Sequence, residues 1–151
     1  MTTEHQKHYL YPGALIASTV PHRVTTVLGT CVAVCLWDEA LKIGGINHYL
    51  LPLWNGEGLA SPRYGNIAID KLVERMLENG SMIQNLKAKI FGGKSDSDSI
   101  YNIGQRNIGF AEEYLAELKI PIVGKSVGGD KGRKILYTTD SGEVLMKYLN
   151  V

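Results

Sequence analysis

Two residue types able to make and break an amide bond stand seventeen positions apart, Cys31 and His48. A cysteine attacks a carbonyl carbon as the thiolate, and a neighbouring histidine supports that form. Cys31 opens an unbroken apolar run, Cys31-Val-Ala-Val-Cys-Leu-Trp37, which predicts a strand buried on both faces. Asp38-Glu-Ala-Leu41 is a polar break of loop length, and a second run follows from Ile43 to Leu51. Closed as an antiparallel hairpin over that loop, Trp37 opposes Lys42, Leu36 opposes Ile43 and Cys31 opposes His48. A bulge at Gly44-Gly45 is the alternative, and it would turn His48 to the other face. Gly29-Thr30, just before the cysteine, allows a sharp corner with bared main-chain N–H groups. Such donors suit the oxyanion of a tetrahedral intermediate. On residue types alone the plainer reading also stands: a buried structural thiol and a hydrogen-bonded strand histidine.

The rest of the chain must position that pair. At 151 residues, 44% hydrophobic and 21% charged, it has the make-up of one globular domain, 1–151, able to bury a core. Seventeen glycines point to many tight turns and away from a helical bundle. A net charge of +1 gives no electrostatic case for nucleic-acid binding. No apolar run is long enough for membrane insertion, and the polar start Met-Thr-Thr-Glu-His-Gln-Lys-His lacks the apolar core of a signal peptide. A cytoplasmic location is expected. Cys35, four residues past Cys31, would lie about 13 Å away along a strand, too far for a disulfide. It is expected to be a packing residue. Two cysteines and scattered histidines do not supply a closed zinc site.

Residues 1–8 are expected to be loose, and His5, His8 and His22 to be solvated. Strands are expected at 23–28, 86–91, 122–127, 134–138 and 144–148, and helices at 66–79 and 104–119. The loop 52–65, with Trp54, follows His48 and is placed to rim a site at Cys31. Gly92-Gly-Lys-Ser95 looks like the end of a phosphate-binding loop, but Ala88 stands where its first glycine belongs.

Several blocks taken in order go further than any single pair. Val27-Leu-Gly-Thr-Cys-Val-Ala-Val-Cys-Leu36, Ile43-Gly-Gly-Ile-Asn-His-Tyr-Leu-Leu-Pro52, Lys89-Ile-Phe-Gly-Gly93, Asn102-Ile-Gly-Gln-Arg-Asn107 and Gly128-Gly129 with Gly132-Arg133 span nearly the whole chain. In these blocks it resembles the CheD family of bacterial chemoreceptor glutamine deamidases. The resemblance implies an α+β fold, similar to that of cytotoxic necrotising toxins: a layered α/β/β sandwich of mixed β-sheets with helices on the outside. It implies Cys31 as nucleophile, His48 as base and Thr25 as the residue orienting the histidine, with neighbouring Thr26 one position away. Gly29 and Thr30 would supply the oxyanion donors. It implies no metal or organic cofactor, a methyl-accepting receptor's cytoplasmic domain as substrate, and a CheC-type phosphatase as partner. Lys94-Ser-Asp-Ser-Asp-Ser99 departs from the family's usual sequence after its glycine pair. That departure motivates a rival reading, a cysteine amidase with a different target. A non-catalytic adaptor is the other.

Overall fold

The computed structural model describes residues 4–95 and 102–150. Among these, nine strands form two sheets. One holds β1 (Gln6–Tyr9), β3 (His22–Leu28), β8 (Gly132–Thr138) and β9 (Val144–Leu149), in the order β1-β3-β8-β9. The other holds β2 (Leu15–Ser18), β4 (Val32–Asp38), β5 (Ile43–Asn47), β6 (Leu86–Gly92) and β7 (Ile122–Val127), in the order β2-β5-β4-β6-β7. Helices α1 (Gly65–Glu78) and α2 (Ile103–Glu117) cover the outer face of the five-stranded sheet. The fold is the α+β sandwich that the resemblance implied.

β4 sits in the middle of the five-stranded sheet, and its apolar run serves two cores. Val32, Val34 and Leu36 face the helices, against Ile69 and Leu72 of α1 and Ile108 and Leu115 of α2. Ala33 and Cys35 face the other sheet, against Val24, Leu28, Ile135 and Tyr137. Alternation along one strand therefore joins three layers. Leu72 is fully buried, so its truncation to alanine should cost about 2–5 kcal/mol. Both helices match their expected spans within two residues, the ordinary uncertainty of helix ends.

The β4–β5 hairpin differs from the sequence expectation. Asp38 pairs with Ile43 and Trp37 with Gly44, so the loop is 39–42 rather than 38–41. Asp38 stays in the ladder and turns its carboxylate inward, where Oδ1 accepts the Leu41 N–H at 3.1 Å. Lys42 closes the turn with φ 55°. No bulge interrupts the pairing at Gly44-Gly45. Those glycines serve close packing instead: a Cβ on Gly44 would meet the Tyr137 hydroxyl at 2.4 Å, and one on Gly45 would meet Leu72 at 2.8 Å.

The N-terminal segment is also more ordered than expected. Gln6–Tyr9 forms β1, parallel to β3, and His5 Nε2 lies 2.8 Å from Asp140. His22 is buried rather than solvated, its Nδ1 2.7 Å from the Val20 carbonyl. His8 is exposed, as expected. Among the described residues no helix is long and apolar enough to cross a membrane.

Candidate functional site

Cys31 lies where the chain leaves the four-stranded sheet at Leu28, turns through Gly29-Thr30 and enters β4. Every carbonyl of this corner is occupied. Lys94 N–H donates to Gly29 and Gly93 N–H to Cys31, each at 2.8 Å, and Asn107 Nδ2 donates to Thr30 at 3.0 Å. Among the described residues no acceptor takes the N–H of Gly29 or Thr30, and the N–H of Cys31 faces its own sulfur. The corner thus holds its acceptors fixed and leaves its donors open, the polarity an oxyanion needs.

Glycine makes this close approach possible. A Cβ on Gly92 would stand 2.2 Å from the Cys31 carbonyl oxygen, and one on Gly104 would stand 2.0 Å from the Lys94 carbonyl oxygen. Both Gly92 (φ 108°) and Gly93 (φ 71°) also take positive φ, which side chains disfavour. The start of α2 and the end of β6 can therefore press on the corner. The loop at 128–131 closes over the same strand end: Gly128 N–H donates to the Gly92 carbonyl and Ser95 N–H to that of Gly129. Arg133, almost wholly buried, gives its guanidinium to the Gly128 carbonyl at 2.8 Å and the Ser126 hydroxyl at 3.0 Å, and lies 5.2 Å from the Tyr148 ring centre. The blocks that are scattered in the sequence meet at one end of β4.

His48 follows β5 directly. Cys35 opposite Ile46 and Val32 opposite Tyr49 share one register, which sets His48 beside Ala33 and Cys31 beside Leu50. The expected direct opposition of Cys31 and His48 is therefore corrected to a diagonal. The shift is even, so both side chains keep the same face, that of the layer between the sheets. Diagonal neighbours have Cβ atoms roughly 7–8 Å apart or somewhat less, within the combined reach of a thiol and an imidazole. Asn47 accommodates the local break, its Oδ1 accepting the Val34 N–H at 2.9 Å.

The threonine at the histidine is Thr26, not Thr25. Thr26 Oγ1 lies 2.8 Å from His48 Nδ1 and donates to the Leu10 carbonyl at 2.7 Å. A hydroxyl has one proton to give, so with Leu10 taking it the imidazole must donate from Nδ1. That leaves the ring's lone pair on Nε2. Thr25 points the other way, onto the outer face of its sheet beside Tyr9 and Leu136. Strand alternation held the signal: Arg23 marks the outward positions, and Thr25 shares its parity.

Burial governs the electrostatics of the pair. It lowers the His48 pKa to about 4, so the ring is neutral near pH 7. Burial also raises the Cys31 pKa, partly offset by that residue's own main-chain N–H. The resting pair is thiol and neutral imidazole rather than an ion pair. Cys35 is fully shut in, its pKa pushed far above the thiol range, and both cysteines are free. It is the packing residue expected.

Asn107 closes the block 102–107, and its residue type alone assigns it no role. It is fully buried on α2, and its Nδ2 donates both to Thr30 and to Leu50, each at 3.0 Å. One amide thus ties the segment before Cys31 to the segment after His48. The Tyr49 hydroxyl holds this helix turn by donating to the Asn107 carbonyl. Trp54, expected as a rim aromatic, is half-buried in its own loop, where Nε1 donates to the Glu57 carbonyl. Of the departing segment 94–99, Lys94 and Ser95 are placed, and the remainder lies outside the described residues. Among the described residues no group of three or more His, Cys, Asp or Glu side chains converges to hold a metal ion.

Comparisons with known proteins point to one family. The family model described as CheD chemotactic sensory transduction matches residues 50–148. A probable chemoreceptor glutamine deamidase CheD of Sulfurimonas denitrificans is 47% identical over 150 residues, covering 97% of this chain and 96% of the relative. A second, from Trichlorobacter lovleyi, is 48% identical over 144 residues, covering 93% of this chain and 89% of the relative. A third, from Anaeromyxobacter dehalogenans, is 39% identical over 144 residues, covering 93% and 84%. The family-model match begins just after His48, whereas the similarity to the first relative extends over nearly the whole chain.

Proposed function

The chain belongs to the CheD family, and from that premise we propose that it is a protein-glutamine deamidase acting on a chemoreceptor's cytoplasmic helices. Residues 1–151 act as one catalytic domain in the cytoplasm. Cys31 gives its proton to His48 Nε2 as sulfur attacks the carboxamide carbon of a glutamine. The oxygen of the tetrahedral intermediate is held by main-chain N–H groups of Gly29, Thr30 and Cys31. The His48 imidazolium returns the proton to the departing nitrogen, which leaves as ammonia, and a thioester remains on Cys31. Water then loses a proton to His48 and adds to the thioester. The C–S bond breaks, the thiol recovers its proton, and glutamate is released.

The observation that supports this reading most is the bond from His48 Nδ1 to Thr26, which fixes the tautomer with its lone pair on Nε2. His48 need not be charged at rest: general-base capture during attack suits a neutral thiol beside a neutral imidazole. A CheC-type phosphatase is the protein partner that family membership suggests.

Incubation with a receptor cytoplasmic fragment, followed by mass spectrometry, tests the proposal. Wild-type protein should raise the mass by about one dalton per modified glutamine and release ammonia in equal amount, and Cys31→Ala should do neither while remaining folded. Undiminished conversion by Cys31→Ala would remove Cys31 from the mechanism.

A further inference from the structure

We propose that the outward face of the four-stranded sheet is a docking surface for an acidic amphipathic helix of a partner protein. The proposal stands independently of the deamidase reading. The helices cover the five-stranded sheet only, so no described layer lies over β1, β3, β8 and β9 on this side.

The registers fix what this face presents. Tyr9, Thr25, Leu136 and Leu145 lie on one rung across all four strands. Lys7 and Arg23 form the neighbouring rung toward one end. Val27, Lys134 and Lys147 form the neighbouring rung toward the other. The middle rung is apolar apart from the hydroxyls of Tyr9 and Thr25, and Leu145 is 58% exposed. Among the described strand residues that point outward, four are cationic and none is acidic; Glu143, just before β9, adds one exposed carboxylate beside Thr138 at the far end of the Arg23 rung. The whole chain is nearly neutral, at +1. Four of its sixteen Lys and Arg lie on this face.

Dimensions favour a helix over other occupants. Four strands span about 14 Å at 4.8 Å each, or about ten residues of helix at 1.5 Å rise. Same-face residues along a strand repeat at about 6.8 Å, so the cationic rungs flank a strip about as wide as a helix. The cations stand at diagonally opposite corners: Lys7 and Arg23 on the β1–β3 side, Lys134 and Lys147 on the β8–β9 side. An occupant with an apolar stripe would thus need carboxylates on opposite flanks, toward opposite ends. Two grooves of about 420 and 270 Å³ run on either side of Leu136 and can receive side chains from the partner. Leu136 is half-buried between the grooves while Tyr9, Val27 and Leu145 stand exposed around it, a relief that can seat a helix between its ridges.

The test uses the full chain and a labelled synthetic helical peptide with a leucine stripe and glutamates on both flanks. Fluorescence anisotropy should show saturable binding that weakens as ionic strength rises. The doubles Lys7→Glu/Arg23→Glu and Lys134→Glu/Lys147→Glu should each weaken it at least about tenfold. A lysine-flanked peptide should bind the charge-reversed proteins and not the wild type. Circular dichroism checks the fold, and Lys134→Gln/Lys147→Gln replaces the reversal should that protein unfold. Failure of the acidic peptide to bind, binding indifferent to all the doubles, or capture by phosphatidylglycerol vesicles with no peptide binding would each overturn the proposal.

Discussion

The Thr26 hydroxyl gives its one proton to the Leu10 carbonyl and takes the Nδ1–H of His48 at 2.8 Å. This small relay decides which imidazole nitrogen is basic. Replacing Thr26 with valine keeps the shape, leaves the Leu10 carbonyl without its donor and frees the ring. A buried partner left unsatisfied costs about 1–3 kcal/mol, so deamidation should slow roughly tenfold to hundredfold. Thr25→Val, on the outer face, should stay near the wild-type rate. Ammonia release from the pair of variants checks this, and equal rates would remove the orienting role from Thr26.

His48 should also be visible in acid stability. Its folded pKa, about 4, lies below the unfolded value of 6.5. Between these the unfolded chain binds a proton that the folded chain does not, so stability falls as pH drops through that window, with the loss complete below about 4. Relative to His48→Gln, wild-type protein should lose about 2 kcal/mol on moving from neutrality to about pH 5. Urea melts of the two proteins at both pH values measure the difference. Parallel pH dependence would mean that His48 is not held neutral.

Asn107 reaches both segments of the site with one amide. Asn107→Leu removes two hydrogen bonds at similar volume, exposing a cost of about 1–3 kcal/mol for each carbonyl left bare. The midpoint of urea unfolding should fall, and the alkylation rate of Cys31 should change its dependence on pH because the corner is no longer held. A purely structural role would lower stability and leave that profile unmoved.

Gly92→Ala should be far worse than Gly129→Ala, although both positions have positive φ. At Gly129 a Cβ meets nothing within 4 Å, so the cost is the backbone conformation alone, about 1–2 kcal/mol. At Gly92 it meets the Cys31 carbonyl, and the corner that carries the thiol must move. Melting temperature and deamidation should both collapse for the first variant, with activity retained in the second.

Much of this was legible in the sequence because the informative signals are local. The valine-rich run gave β4, the apolar periodicities gave both helices, and the glycine before Cys31 marked the corner. The hairpin register was not legible, since Asp38 looks like a loop residue until its carboxylate is seen bonding inward to Leu41. The family resemblance points to Thr25, whereas the outward parity that Arg23 sets along β3 turns Thr26, not Thr25, toward the histidine. The double reach of Asn107 depends on α2 packing over residues 77 and 57 positions away, which no local pattern encodes.

The hairpin loop at 39–42 sits at the far end of β4 from the thiol. The ladder from Cys35 to Asp38 and the separate Val32–Tyr49 bridge set the pairing without help from the loop's length. A fluorescent reporter peptide spliced between Glu39 and Lys42 should therefore leave turnover untouched, giving a handle for following the enzyme as it works.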